Sequence, residues 1–195
     1  MLAWMDLEMT GLDPARHVIL EIAMIITDDE LETVAELGPL VIKASDAELA
    51  EMDKVVKHMH ESNGLLKAVS QSTLTLTEAA DQTLAFLKTY CHNSGQVPLC
   101  GNSIGTDRRF LARYLPEVET WLHYRSVDVS SIKELAKRWY PDICATLPAK
   151  PSGHRALDDI RDSIQELRSY RQNLFVPHTV QAPSEEGGIA DSSSA

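Results

Sequence analysis

The sequence predicts an α/β protein, a mixed sheet of about five strands flanked by helices. Three observations lead there. Three extended apolar segments follow one another at the start of the chain. Strand-like and helix-like stretches then alternate, and a long amphipathic helical period closes the series.

Leu2 to Glu8 reads as the first strand and Val18 to Thr27, mostly apolar and rich in Ile, as the second. Leu40 to Lys43 reads as the third, after a Gly38-Pro39 turn signal. Asp46 to His60 has a helical pattern. Thr77 to Tyr90 places Ala80, Leu84 and Leu87 on one face, with Thr77 as its N-cap. Val97 to Cys100 is a short strand ending in Gly101-Asn102. A helix opening at Thr106 or Asp107 runs through Phe110, Leu111 and Tyr114 and stops before Pro116. Tyr124 to Val129 is a strand, and Ser130 to Trp139 a helix ended by Pro141. From Arg155 to Phe175, the spacing of Leu157, Ile160, Ile164, Leu167, Tyr170 and Leu174 predicts a long amphipathic helix.

A chain of 195 residues suits one domain, here 1–176. Residues 177–195 are rich in Pro, Ser, Glu and Gly and read as a disordered tail. No apolar run is long enough to span a membrane, and no leader or presequence pattern is visible, which points to the cytoplasm. Cys91, Cys100 and Cys144 are odd in number, widely spaced and without a CxxC, so they read as free thiols. The net charge of −11, with no basic run, argues against a protein that tracks long nucleic acid along a cationic face. A polyanionic substrate would have to be short and gripped locally.

The informative residues are scattered acids and one histidine. Asp6 and Glu8 stand at i and i+2 of an apolar strand, so they share a face with Trp4 while Met5 and Leu7 pack on the other. A carboxylate in an apolar strand needs a cation, because an unpaired buried charge costs several kcal/mol. Hard oxygen donors held side by side suit Mg²⁺ or Mn²⁺. Alone, D-x-E is a weak motif, and Asp107 alone could be a simple helix cap. His154 precedes the last helix, and either Asp158 or Asp159 could face a cleft from within it. Four carboxylates would balance two divalent cations, and a neutral imidazole could take a proton near neutral pH. Metal-assisted phosphodiester hydrolysis is the reaction class these groups suggest.

The segments Asp6-Leu7-Glu8-Met9-Thr10-Gly11-Leu12, Gly101-Asn102-Ser103, Asp107 and His154-x₄-Asp159 resemble the DEDDh group of 3′→5′ exonucleases. The stretches His123 to Ser130, Lys133-Glu134-Leu135 and Arg138-Trp139-Tyr140-Pro141 extend the likeness toward its oligoribonuclease branch. The resemblance implies a ribonuclease H-like fold and two divalent metal ions. It also implies release of 5′-mononucleotides from single-stranded RNAs of about two to five residues, a short polyanion to which phosphate contacts would anchor the protein. It selects Asp159 over Asp158, making Asp6, Glu8, Asp107 and Asp159 the metal ligands and His154 the general base. It further implies Leu12 as an apolar wedge at the 3′ base, and Ser103, Arg125 and Ser130, with His60 as helper, around the 5′-phosphate. Tyr124 would lie against the 5′ base from the second subunit of a homodimer. Family members often carry a base-stacking Trp where this chain has Val55, so either affinity would be lower or the base would rest on Leu12 and Val55.

Two other functions compete with this one. A broader 3′→5′ exonuclease, of proofreading or tail-trimming type, would use the same metal chemistry on longer strands. A non-catalytic dinucleotide-binding module would be expected to lose a ligand, whereas all five positions are filled here. His58-x-His60 does not make a metal pair, since i and i+2 diverge on a helix. Arg108, Arg109 and Arg113 read as salt-bridged or solvated helix-face residues, and Trp121 and Trp139 as core or interface residues.

Overall fold

The computed structural model describes residues 1–146 and 155–176. The expected tail and its boundary, and His154, lie outside the described residues. A five-stranded mixed sheet forms the centre, in the order β3-β2-β1-β4-β5. Its strands are β1 (Leu2–Met9), β2 (Ile19–Thr27), β3 (Thr33–Val41), β4 (Pro98–Gly101) and β5 (His123–Asp128). β1, β2 and β3 pair antiparallel, while β4 lies parallel to both β1 and β5. This is the expected fold class, a ribonuclease H-like sheet flanked by helices.

Period-2 alternation in β1 and β2 divides two cores. Ala3, Met5, Leu7, Ile22, Met24 and Ile26 pack with Leu87, Phe110 and Leu111. The latter belong to α4 (Leu76–Tyr90) and α5 (Gly105–Tyr114). Trp4, Ala23 and Ile25 pack on the opposite face with Val129, Ala136, Ile160 and Ile164. Those come from α7 (Val129–Trp139) and α9 (Ala156–Leu174). Trp4 satisfies its indole N–H on Thr27 Oγ1 at 3.0 Å, as a buried donor requires.

Several boundaries differ from expectation for identifiable reasons. β3 begins at Thr33, not Leu40, and Gly38-Pro39 lies inside it. As an edge strand it exposes many residues and tolerates a proline, so it lacks an apolar run. Gly38 has φ +98°, and a Cβ there would meet Ile22 O at 2.8 Å, beside the register shift between Ile22 and Met24.

The expected helix over 46–60 is two, α1 (Asp46–Ala50) and α2 (Lys54–Ser62). Between them Met52 turns inward onto Leu20, Leu65 and Val69. The N-cap of α4 is Thr75, not Thr77, through a reciprocal capping box with Glu78 (Thr75 N to Oε2 2.8 Å; Glu78 N to Thr75 Oγ1 3.2 Å). Three short helices add to the expected set: α3 (Leu65–Gln71), α6 (Pro116–Trp121) and α8 (Pro141–Thr146). No described helix is long and apolar enough to cross a membrane. The three cysteines are free. Burial pushes the Cys100 thiol up to about 12, so it stays a thiol.

Candidate metal centre

Strand β1 carries Asp6 and Glu8 on the face that meets α9, and α9 brings Asp159 to them. One carboxylate oxygen from each of the three lies within 4.8 Å of the others. Asp158 points away and pairs with Arg161 at 3.2 Å. Of the two adjacent acids, Asp159 is the one brought to Asp6 and Glu8.

Asp107 stands in the first turn of α5 rather than at its cap, which is Ile104. Its buried carboxylate turns to the sheet and accepts the Leu7 amide at 3.0 Å. Burial and the carboxylates of Asp107, Glu8, Asp159 and Glu21 hold Asp6 well above the usual carboxylate range. Burial, then Asp159, Glu21 and Asp107, push Glu8 from 4.5 up to about 8, with Arg155 opposing. Burial raises Asp107 to about 7 against the stabilising amides of Leu7 and its own residue. Without a cation, this set is forced toward its protonated form. Hard oxygen donors, convergent, buried and mutually repelling, are what a divalent cation neutralises, so the residues fit such a group.

His60 is placed differently from a helper at an open phosphate site. It is 0% exposed, its Nε2 lies 2.9 Å from Met9 O, and its Nδ1 faces Glu8 at 3.9 Å. It packs behind Glu8. Gly11 is required at its position because a Cβ would meet the His17 ring at 2.5 Å. The His17 ring in turn accepts the Asp13 amide at 3.0 Å. Tyr114 on α5 donates to His17 O at 2.7 Å. This anchored loop presents Leu12 with 67% of its surface exposed.

Ser103 and Ser130 come together, with their hydroxyls 3.2 Å apart. The Ser103 amide donates to both Asp128 Oδ1 and Ser130 Oγ at 3.0 Å, which holds Ser103 at φ +52°. On β5, Tyr124 is 74% exposed, stacks on His123, and lies 5.3 Å under the Arg125 guanidinium. Val55, on α2, is 81% exposed. Arg108 is structural: it binds Glu119, Ser126 and the His123 carbonyl.

Two residues that sequence reasoning misses belong to this region. Glu21, paired in register with Glu8, is fully buried, and Arg155 binds it through two guanidinium nitrogens. The sequence does carry a signal, since Glu21 interrupts the apolar Val18–Thr27 run just as Asp6 interrupts its own.

The chain matches the exonuclease family model (RNase T) over residues 3–167. It is 51% identical to an oligoribonuclease of Streptomyces griseus over 176 residues, covering 90% of this chain and 87% of that one. It is 48% identical to an oligoribonuclease of Rhodococcus jostii over 190 residues, covering 97% and 96%. An oligoribonuclease of Vibrio cholerae is 50% identical over 174 residues, covering 89% and 95%. Among solved structures, zinc-bound E. coli exonuclease I with single-stranded DNA superposes with a TM-score of 0.67 at 16% identity, over 89% of this chain. The exonuclease I of Methylocaldum szegediense gives 0.61 at 21%, also over 89%. The chain spans about two-fifths of the length of those two enzymes (40% of each), and the likeness to them is one of fold.

Proposed function

We propose, from the fact that this chain belongs to the RNase T exonuclease family and groups with its oligoribonucleases, that it is a cytoplasmic 3′→5′ exoribonuclease of very short RNAs. The observation that carries this reading is the convergence of Asp6, Glu8 and Asp159 from two elements more than 140 residues apart. Those three, with Asp107, are the residues that would hold two divalent cations, Mg²⁺ or Mn²⁺. When bound, the pair makes a water acidic enough to attack near neutral pH and offsets charge on the leaving oxygen.

The chain's own residues do the rest. His154, next to Arg155 in sequence, takes the proton of the attacking water as a neutral imidazole, whose ordinary pKa is about 6.5. Leu12, exposed on its anchored loop, wedges against the 3′ base, and Val55 offers an apolar surface beside it. Ser103, Ser130 and Arg125 grip the 5′-phosphate, the first two as a hydroxyl pair and the third as a charge. Tyr124 reaches across a homodimer to the other subunit's 5′ base. A closed grip on that phosphate admits RNAs of two to five residues and fits a protein with net charge −11 and little backbone to track. His60 acts behind Glu8, not on the phosphate. Residues 1–176 form the enzyme domain.

Hydrolysis of 5′-labelled RNAs of two, five and twenty residues with Mg²⁺ or Mn²⁺, beside an Asp6→Ala control, tests the reading. Rapid loss of the dinucleotide and slow loss of the longest, both absent in the control, is the expected result. Equal rates at every length would replace it with a general 3′ exonuclease. Binding without hydrolysis would replace it with a dinucleotide-binding module.

A further inference from the structure

Glu21 is the one charged side chain in β2, and it has no exposed surface. Both of its oxygens are occupied. Arg155 Nε lies 3.1 Å from each, Arg155 Nη2 lies 2.5 Å from Oε2, and the Ala156 amide donates to Oε1 at 3.0 Å. Ala156 is the first residue of α9, so the carboxylate satisfies an amide that the helix itself leaves without a partner. The Arg155 carbonyl then accepts the Asp159 amide at 3.0 Å. One short path therefore joins Glu21 to Asp159, and Glu21 sits directly across the β1–β2 ladder from Glu8.

We propose that Glu21 is a positioning residue, which with Arg155 clamps the first turn of α9 to the sheet and so delivers Asp159 to Asp6 and Glu8. The proposal rests on the reading of those carboxylates as cation ligands. Its physical content is a registration device. The far ligand travels on a helix, and apolar packing by itself does not fix the register of a helix on a sheet. A bidentate Arg–carboxylate pair fixes both position and orientation. The apolar contacts of Ile160 and Ile164 hold α9 down but are not directional.

A buried ion pair that served folding alone would leave cation affinity to simple electrostatics. Glu21→Gln removes an anion near the ligands and would weaken binding. Arg155→Gln removes a cation and would strengthen it. The clamp predicts that both weaken it, so the sign at Arg155 decides.

The measurement is Mn²⁺ affinity of the full chain, followed by electron paramagnetic resonance, in wild type, Glu21→Gln and Arg155→Gln. Loss of an outer partner of a metal ligand weakens affinity by about tenfold or more, and that loss is expected in both variants. Affinity in Arg155→Gln within about threefold of wild type, or tighter, overturns the clamp, since such partners cost more than that. Should Glu21→Gln fail to fold by circular dichroism, Arg155→Gln, whose side chain is 29% exposed, decides by itself. Dinucleotide turnover is followed separately. The clamp predicts a lower kcat with KM within about twofold of wild type, the signature of a lost transition-state interaction. A raised KM with unchanged kcat counts against it. If wild type binds Mn²⁺ yet cleaves no RNA, the functional reading falls while the Mn²⁺ comparison still tests the clamp.

Discussion

The two faces of the central sheet are built from the same two strands and serve opposite ends. On one face Ala3, Met5, Leu7, Ile22, Met24 and Ile26 meet α4 and α5 in an uninterrupted apolar core. On the other, the alternate residues run Trp4, Asp6, Glu8 on β1 and Glu21, Ala23, Ile25 on β2. There, carboxylates replace hydrocarbon at one end of the face. The first arrangement lowers the free energy of the fold. The second raises it, because burial and neighbouring carboxylates push Asp6 and Glu8 toward protonation. Stability and chemistry are thus separated by a single residue step along a strand.

The sharpest way to break this comparison is Asp6→Ala. Loss of a cation ligand removes several kcal/mol of charge stabilisation. At tenfold per 1.4 kcal/mol, dinucleotide hydrolysis should fall by about a thousandfold. The same change removes a buried repelling charge, so the metal-free variant at pH 8 should melt no lower than wild type. A melting temperature several degrees lower would contradict the division of labour. His154→Ala should reduce turnover by about 10²–10⁴, the range of general acid–base catalysis, while Mn²⁺ affinity changes little. Turnover equal to wild type would remove His154 as the base.

Met24→Ala tests the apolar face. Met24 is fully buried, and its truncation should cost about 2–5 kcal/mol in urea unfolding. The kcat of the folded fraction should stay within about twofold of wild type, because no transition-state contact is lost. A large fall in kcat at constant KM would show that the faces are coupled.

The pH dependence of the metal-free protein distinguishes the faces by sign. Glu8 titrates from an ordinary 4.5 to about 8, and Asp107 from 3.8 to about 7. Between those limits the folded protein binds more protons than the unfolded chain, so stability falls as pH rises. It is fully present below about 4 and is lost as pH rises through about 7 for Asp107 and about 8 for Glu8, where each is half ionised in the folded protein. Carboxyls held below their usual range, such as Glu78 in the α4 capping box, act below that window. In EDTA the melting temperature should therefore decline from pH 5.5 to 8.5, and Mg²⁺ or Mn²⁺ should flatten the slope. A rise over that interval would refute the electrostatic account of the site.

Legibility in the sequence follows the same division. β1 and β2 are readable because their apolar runs are long, and Asp6 and Glu8 because they break one. Glu21 breaks the other run and is as visible, yet its meaning depends on Arg155, 134 residues away. The fold class follows from the order of elements. Only the end of the edge strand β3 is legible, because an exposed edge needs no apolar pattern. Pro116 and Pro141 read as helix ends, whereas each also opens a short helix, a position where a missing amide costs nothing. The Thr75-x-x-Glu78 box carries a better cap signal than Thr77. Periodicity does not separate Asp159 from Asp158, since adjacent residues on a helix differ only by rotation. The packing of α9 on β1 makes that distinction.

The smallest expected effect concerns where the chemical face ends. Val55 and His60 share α2, about 7.5 Å apart along its axis at 1.5 Å per residue. His60 is sealed against Met9 and Glu8, whereas Val55 projects into solvent. If a base of the substrate rests on this helix, Val55→Trp adds a stacking ring at no cost to the core. Base–aromatic stacking is worth at least about 1 kcal/mol, so dinucleotide should bind about fivefold more tightly. Affinity is best measured in the Asp6→Ala background, where hydrolysis does not consume the ligand. An unchanged dissociation constant would move the base off α2 and leave Leu12, exposed on the anchored loop, as the apolar surface that receives it.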